Sequence, residues 1–540
     1  MNVVLVYRGR YLIREALDLE PLANVLRGAG HSLSFVYEPD TFGVTDNVFQ
    51  LPALARLLAD DRRTVARILD ARPDVVLFSV LSSTYAWCRQ IATAVKAADR
   101  PSRPEVAGKD ARRGVPTVFF GLHPSLVPER VMRDPCVDYV IAGEVEGVIR
   151  SLLEAIGTGQ EVSAVGNLWY RDGGSARFTR RAELVDLDAL PLPDKELFAP
   201  YVSHRYSYSA MVSRGCPYRC TFCEETCSKK LYGGRYFRRK AVDTVLRELV
   251  AGKRRYRYRE VIFKDSYLSG DRKWLRDLMD GYRREIGVPF KCFCTITSFD
   301  EETARLLKEG GCYCIEFGLQ TWNDRLRREV LDRRETGEDA LRAFAECDRV
   351  GLWYDVDHMF NLPTETEEDH REGAAQYRRL RRLNRVKVHF LVYYPTADIV
   401  DHAIAAGDVQ QDARERLAEG EASDFYNQTA ANARKRKMVA SYAALYKILP
   451  MLPGPAVGWL SAAGRVKYLR WIPGPLMGVL QALNALRSGD LRFATYAFTY
   501  PRKVLHSLWA AVPWGRSAVC TSPQRADSLP GDSDAPRSDH

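Results

Sequence analysis

Three cysteines, Cys216, Cys220 and Cys223, are separated by three and then two residues in the stretch SRGCPYRCTFC. Thiolates gathered by so tight a loop suit soft metal ions, and a tetrahedral zinc site there would take a fourth Cys or His, with Cys227 and His204 as the candidates. Arg214, Tyr218, Arg219 and Thr221 make the loop polar, unlike a merely buried group of thiols. A cubane [4Fe-4S] cluster on three protein thiolates keeps one iron open to a small molecule, which is the chemically useful alternative.

Other polar residues recur where strands end. Alternation in CYCIEFGLQT predicts Cys312, Cys314, Glu316, Gly318 and Gln320 on one face of a strand and Tyr313, Ile315, Phe317 and Leu319 on the other. Glu and Gln repeating on one side suit a strand that lines a chamber; a hydrogen-bonded polar core is the plainer reading. KDSYLS puts Asp265 and Tyr267 at a strand end. FNLPTET, residues 360–366, places Pro363 in a turn, where Thr364 either offers a polar group to a ligand or caps the helix that follows. His358 and His389 also lie near strand ends, where an isolated histidine serves structure more often than proton transfer.

The elements that must carry these residues form two βα series. In the first, strands at 3–6, 33–36, 75–80 and 117–121, and one more within DYVIAGEVEGVIRSLLEAI, alternate with helices at 16–26, 51–69 and 87–98. That pattern predicts a parallel, doubly wound α/β domain over 1–156, whose ligands would sit beyond the strand ends at 78–83 and 121–125. Residues 157–200 read as a small hairpin, NLWYRDGGSARFTR, and a Pro-rich connector. The second series, over 201–400, has strands near 209–213, 260–264, 290–298, 313–320, 353–360 and 386–393. It predicts a full or partial (β/α) barrel with the cysteine loop at its mouth. A helical C-terminal cap is expected over 401–516 and a disordered tail, rich in Pro, Ser and Asp, over 517–540.

At the cysteine loop, with the aromatic Phe222 in the second-last position, the sequence resembles the radical S-adenosylmethionine (SAM) superfamily. The resemblance implies that Cys216, Cys220 and Cys223 hold a [4Fe-4S] cluster whose open iron binds the amino and carboxylate groups of SAM, with Cys227 outside. It also implies Glu316 and Gln320 at the nucleoside and methionine moiety, Asp265 and Ser298 beside them, and FNLPTET as a loop near adenine in which Asn361 replaces the usual glycine. PDVVLFSVLSSTY, TVFFGLHPSLVPE and DPCVDYVIAGEVEG resemble the cobalamin-binding domain that precedes many such barrels, so that the likeness spans about residues 1–400. Within it, Ser79, Ser82, Ser83, Gly121 and Gly143 would let a corrin and its tail approach the backbone closely, and His123 is expected to contact the nucleotide tail or close its loop. RGRYLIREAL follows the first strand where a cobalt-ligating Asp-x-His-x-x-Gly would stand, so cobalamin is expected without a histidine on cobalt from that loop. That segment also has no GxGxxG to support a dinucleotide domain.

The function so implied is that of a cobalamin-dependent class B radical SAM methyltransferase. It would move methyl from methylcobalamin to a carbon radical of a small-molecule or natural-product substrate, with electrons from an external one-electron reductant. An anaerobic tetrapyrrole cyclase, or another radical rearrangement of a lipophilic substrate, has the same two-domain plan. A radical RNA-modifying enzyme is a third reading.

With 540 residues, 46% hydrophobic and 27% charged, the chain is long enough for about three or four folded units and too apolar to be a disordered scaffold. Its net charge of +10 is dispersed, so no nucleic-acid partner is expected. Twelve cysteines, a start unlike a secretory leader and no run of about 18 apolar residues predict a reducing, cytoplasmic setting. Trp459, Lys467, Arg470, Trp471 and Leu480 combine aromatic anchors with basic charge around two PGP turns. Residues 451–483 are therefore expected as a cap near the substrate entrance that either completes the core or rests peripherally on a membrane surface.

Overall fold

The computed structural model describes residues 1–9, 15–39, 60–99, 114–421 and 433–511. The first part of the helix expected at 51–69 and the tail at 517–540 lie outside these residues.

Unbroken apolar runs build the first sheet. In β1 (Asn2–Arg8) the side chains of Val3, Val4, Leu5 and Val6 are all fully buried, as a parallel strand covered on both faces requires. Around it lie β2 (Ser32–Glu38), β3 (Val75–Ser79), β4 (Thr117–Phe120) and β5 (Tyr139–Ile141), in the order β2-β1-β3-β4-β5 with every pair parallel. The hairpin expected in the connector instead extends this sheet. Its strands β6 (Leu168–Asp172) and β7 (Ser175–Phe178) continue the order, with buried Leu168 antiparallel to Ile141.

The second sheet is a six-stranded partial barrel. It consists of β8 (Ser207–Ala210), β11 (Glu260–Phe263), β12 (Phe290–Cys294), β13 (Cys312–Gln320), β14 (Trp353–Phe360) and β15 (Leu383–Phe390), all parallel and in sequence order. A short antiparallel pair, β9 (Ser213–Arg214) and β10 (Arg238–Arg239), flanks the cysteine loop. Outer helices start on side-chain caps, Asp271 on the Trp274 N–H (3.0 Å) and Asp300 on the Thr303 N–H (3.0 Å), each worth about 1 kcal/mol. Thr366, in a capping box with Asp369, caps the helix after FNLPTET; Thr364 does not.

One register shift corrects the expected alternation of β13. Phe290 pairs with Cys312 but Lys291 pairs with Cys314, so Tyr313 is an extra residue in a bulge. Cys312 consequently turns outward, to pack with Cys292, Cys294 and Cys347, and the Tyr313 hydroxyl donates to Glu260 (2.9 Å). From Cys314 to Gly318 the expected faces hold; a second shift, against β14, then pairs Gln320 with His358 and leaves Leu319 as the extra residue.

The lumen is filled by charge. Asp355 accepts from Lys291, Arg385 (2.6 Å) and Asn384 (2.7 Å), while Glu316 pairs with Lys387 and, at 3.7 Å, with Lys291. At the starts of the strands the helix Gly474–Ser488 forms a floor: Ser488 Oγ donates to Asn384 Oδ1 (2.7 Å) and Asn484 to the Asn384 carbonyl. The C-terminal cap expected at the substrate entrance therefore closes the opposite end, because its polar side chains match the free groups where β15 begins.

Candidate cofactor site

Asp265, just after β11, anchors the base of the cysteine loop. Its Oδ1 accepts from the backbone N–H groups of Val212 (2.9 Å) and Ser213 (2.6 Å) and from the Ser213 hydroxyl (2.6 Å). At Gly215, φ is 85° and a Cβ would stand 2.8 Å from the Tyr236 carbonyl oxygen, so the loop opens through a position only glycine fits. The Cys223 N–H then closes a turn on the Cys220 carbonyl (3.1 Å), and the helix Glu224–Leu231 follows.

Burial pushes all three thiols up, Cys216 to about 11, so an incoming metal must displace their protons. At Cys220 a guanidinium opposes burial: Arg333 Nη1 is 4.0 Å from the sulfur, held in place by the Gly318 carbonyl (2.6 Å) and by Glu335. The fourth ligands that zinc would need are elsewhere. Cys227 is buried among Leu126, Leu326, Val330 and Met359, and His204 Nε2 meets the Lys195 carbonyl (3.1 Å) beneath Tyr256.

A cavity of about 630 Å³ lies between the two sheets' carboxyl ends. Ser79, Ser82, Ser83, Gly121 and Gly143 line it from the first domain, and Gly215, Glu224, Glu225, Tyr236, Lys264 and Phe293 from the barrel. Gly121 (φ 101°) and Gly143 (φ 119°) bring backbone to its wall; a Cβ on Gly143 would fall 2.1 Å from the Tyr232 hydroxyl. The domains are fastened at this wall. The Glu144 N–H donates to the Tyr232 hydroxyl (2.7 Å), and Arg214, beside the cysteine loop, pairs with Glu146 (2.5 Å) and Glu144 (3.4 Å). Sequence reading did not bring these four residues together, although two acids set between glycines in GEVEG are an unusual pattern.

The remaining candidates divide. Gln320, at the end of β13 with φ 70°, buries an Oε1 that has no hydrogen-bond partner, and Asn361, after β14 with φ 67°, buries both amide atoms without one. Asn361 holds a left-handed backbone, which explains how it stands in a position suited to glycine. Ser298 bonds Ser269 (2.8 Å) and Thr295 (2.7 Å) at the mouth. Glu316 is engaged deeper, where, against the effects of burial and Asp357, Lys387 and Lys291 hold its carboxyl below the usual range. His123 is fully buried against Tyr85 (4.3 Å) with Nδ1 on Ser82 (3.0 Å), and burial lowers it to about 4; Leu122 and Ser125, not His123, face the cavity. His358 packs outward against Tyr377 and Tyr446, and His389 pairs with Asp357 (3.1 Å) in the lumen. Glu225, missed in the sequence, lines the cavity directly behind Cys223; burial and Glu224 raise it to about 7, and Ser266 donates to it (3.2 Å).

Family profiles fall on the two halves of this cavity. The B12 binding domain matches residues 15–153 and the Radical SAM superfamily residues 211–374. The chain is a B12-binding radical SAM protein. It is 26% identical over 303 residues to an uncharacterized methyltransferase of Pyrococcus horikoshii, a match covering 55% of this chain and 65% of that protein. It is 28% identical over 182 residues to tryptophan 2-C-methyltransferase of Streptomyces laurentii, covering 30% and 29%. The chain thus spans under two thirds of the length of these relatives. Among solved structures, the radical SAM methyltransferase TsrM of Kitasatospora setae superposes with a TM-score of 0.57 at 18% identity, covering 76% of this chain and 77% of that one. The cobalamin-dependent SAM radical enzyme OxsB gives 0.61 at 13% identity, covering 93% and 84%. These two likenesses carry the fold.

A B12-binding radical SAM protein implies a [4Fe-4S] cluster, SAM and cobalamin, and the residues present fit all three. Three thiols lie on one loop with a guanidinium 4.0 Å from Cys220, buried amide atoms await partners at the barrel mouth, and two positive-φ glycines bring bare backbone to the wall of a cavity of about 630 Å³.

Proposed function

We propose that this protein transfers a methyl group from cobalamin to a carbon centre of a small molecule. One observation carries the reading: the wall offered to a corrin and the wall behind the cysteine loop bound a single cavity of about 630 Å³. Bound there, the cofactors supply one-electron cleavage of SAM and a cobalt-carried methyl group. Cys216, Cys220 and Cys223 would hold the cluster, and Gln320, Asn361 and Ser298 would bind SAM at the strand ends. Ser79, Ser82, Ser83, Gly121 and Gly143 would cradle the corrin. With Leu122 rather than a histidine facing the cavity, no side chain of that loop competes for cobalt. Asp265 positions the loop, and the Arg214 pairs keep the two walls in register. Electrons are drawn from an external reductant.

Several similar proteins are named as methyltransferases, and they support this reading; the anaerobic magnesium-protoporphyrin IX monomethyl ester cyclase of Rubrivivax gelatinosus, 23% identical over 370 residues, favours a cyclase as the second. The reconstituted protein, incubated anaerobically with reductant, methyl-deuterated SAM and metabolite extracts, separates them by product mass. A product carrying one labelled methyl is expected. An unlabelled, oxidised and ring-closed product, or label recovered in RNA, would overturn methyl transfer to a small molecule.

A further inference from the structure

The helix Gly474–Ser488 packs one side onto the barrel floor and leaves the other bare. Met477, Asn484, Ala485 and Ser488 are buried, whereas Leu476, Val479, Leu483 and Leu486 are 49–78% exposed. Their spacing of three, four and three residues sets those four side chains in one stripe. Trp471, 71% exposed, stands just before the helix, and Trp459 and Tyr468 are exposed in the segments leading to it. Each of the three rings carries a cation over its face: Arg465 at 4.8 Å from Trp459, Lys467 at 5.2 Å from Tyr468, Arg470 at 5.1 Å from Trp471.

The charge at these rings is of one sign. Residues 433–511 hold twelve Lys and Arg against a single acid, Asp490; Lys503 is buried, and Lys435 and Arg492 are paired with Asp408 and Asp490, whereas Arg465, Lys467 and Arg470 stand at the exposed rings. Asp490 itself is drawn into the floor, where Arg492, Lys291 and Arg385 hold its carboxyl below the usual range against burial.

We propose that this surface docks the protein onto an anionic lipid bilayer, with the helix Gly474–Ser488 lying in the plane of the interface. Lipid tails would take the Leu/Val stripe and the tryptophan rings, while phosphate headgroups would take the cations ringing them, the combination that interfacial helices use. Among the described residues no helix is long and apolar enough to cross a membrane, so the attachment is peripheral. A second copy of the chain would bring like charge against like charge, and a nucleic acid would leave the aliphatic stripe in water. Docking by this end keeps the mouth of the barrel, at the other end, away from the headgroups. The inference stands independently of the methyl-transfer reading.

Co-sedimentation of the full cofactor-loaded chain with phosphatidylcholine vesicles, with and without one-third phosphatidylglycerol, tests it. Binding to the anionic vesicles at low salt is expected, with little on phosphatidylcholine alone and loss at high salt. Leu483→Glu combined with Leu486→Glu, both exposed, should weaken it by about tenfold or more while iron and corrinoid content stay at wild-type levels. No binding to anionic vesicles, binding untouched by the two substitutions, or a leucine-dependent dimer that forms without lipid would each overturn the proposal, as would RNA displacing no less than lipid does.

Discussion

Arg333 Nη1 lies 4.0 Å from the Cys220 sulfur, while its Nη2 is tied to the carbonyl of Gly318, two residues before Gln320. One guanidinium thus links the loop that would hold the cluster to the strand end that would hold SAM. A fixed positive charge beside a cluster favours its reduced, more negative state. Arg333→Met should shift the cluster's midpoint potential downward by roughly 60 mV, a tenfold change for one electron. Spectroscopic redox titration of variant and parent reads it, and an unchanged midpoint at equal iron content would refute the link.

Cys216→Ala and Cys227→Ala should behave differently. The first removes a loop thiol and should abolish most bound iron and sulfide after anaerobic reconstitution. The second removes a sulfur packed among leucines, so it should keep its iron and lose only about 1–2 kcal/mol of stability. Equal iron loss in the two variants would require a different ligand set.

Gly143→Ala puts a Cβ onto a backbone at φ 119° and against the Tyr232 hydroxyl. Strain of this kind costs about 1–3 kcal/mol before the clash is counted. Corrinoid retained through gel filtration should fall several-fold while the cluster is kept. Full retention would mean that this glycine does not shape the corrin wall.

For Asp265, burial pushes the carboxyl up to about 6 despite hydrogen bonds from Ser213 and Val212. The folded chain therefore favours the protonated acid more than the unfolded chain does. Its contribution to stability is full below about pH 4 and is lost as pH rises through about 6, a change of about 3 kcal/mol. Asp265→Asn cannot ionise, so the stability of the parent relative to this variant should fall between those values. Urea unfolding across the range checks the sign, and a constant difference would rule out the shift.

The two βα series and their parallel sheets were legible because valine-rich runs and capped helices are local signals, and the cysteine spacing is local too. What escaped the sequence was set by partners far apart in the chain. Tyr313 and Cys312 exchange faces only because β12 shifts register opposite them. Leu168 joins the first sheet because Ile141 offers it an edge. Arg214 and Glu146 meet across two domains, 68 residues apart, and nothing in either neighbourhood announces the other. Gln320 and Asn361 could be nominated from their positions at strand ends, but their unpartnered amides are visible only in three dimensions.

The floor laid across the strand starts by Asn484 and Ser488 has a kinetic meaning. With charge pairs packed through the lumen above it, that end offers no through-passage, and traffic is confined to the rim where the two domains face each other. In the proposed reaction, spent nucleoside, finished product and fresh substrate would then share one doorway. Slow clearing of that doorway, rather than bond making, would set the pace of repeated turnover and would show as inhibition by accumulated product.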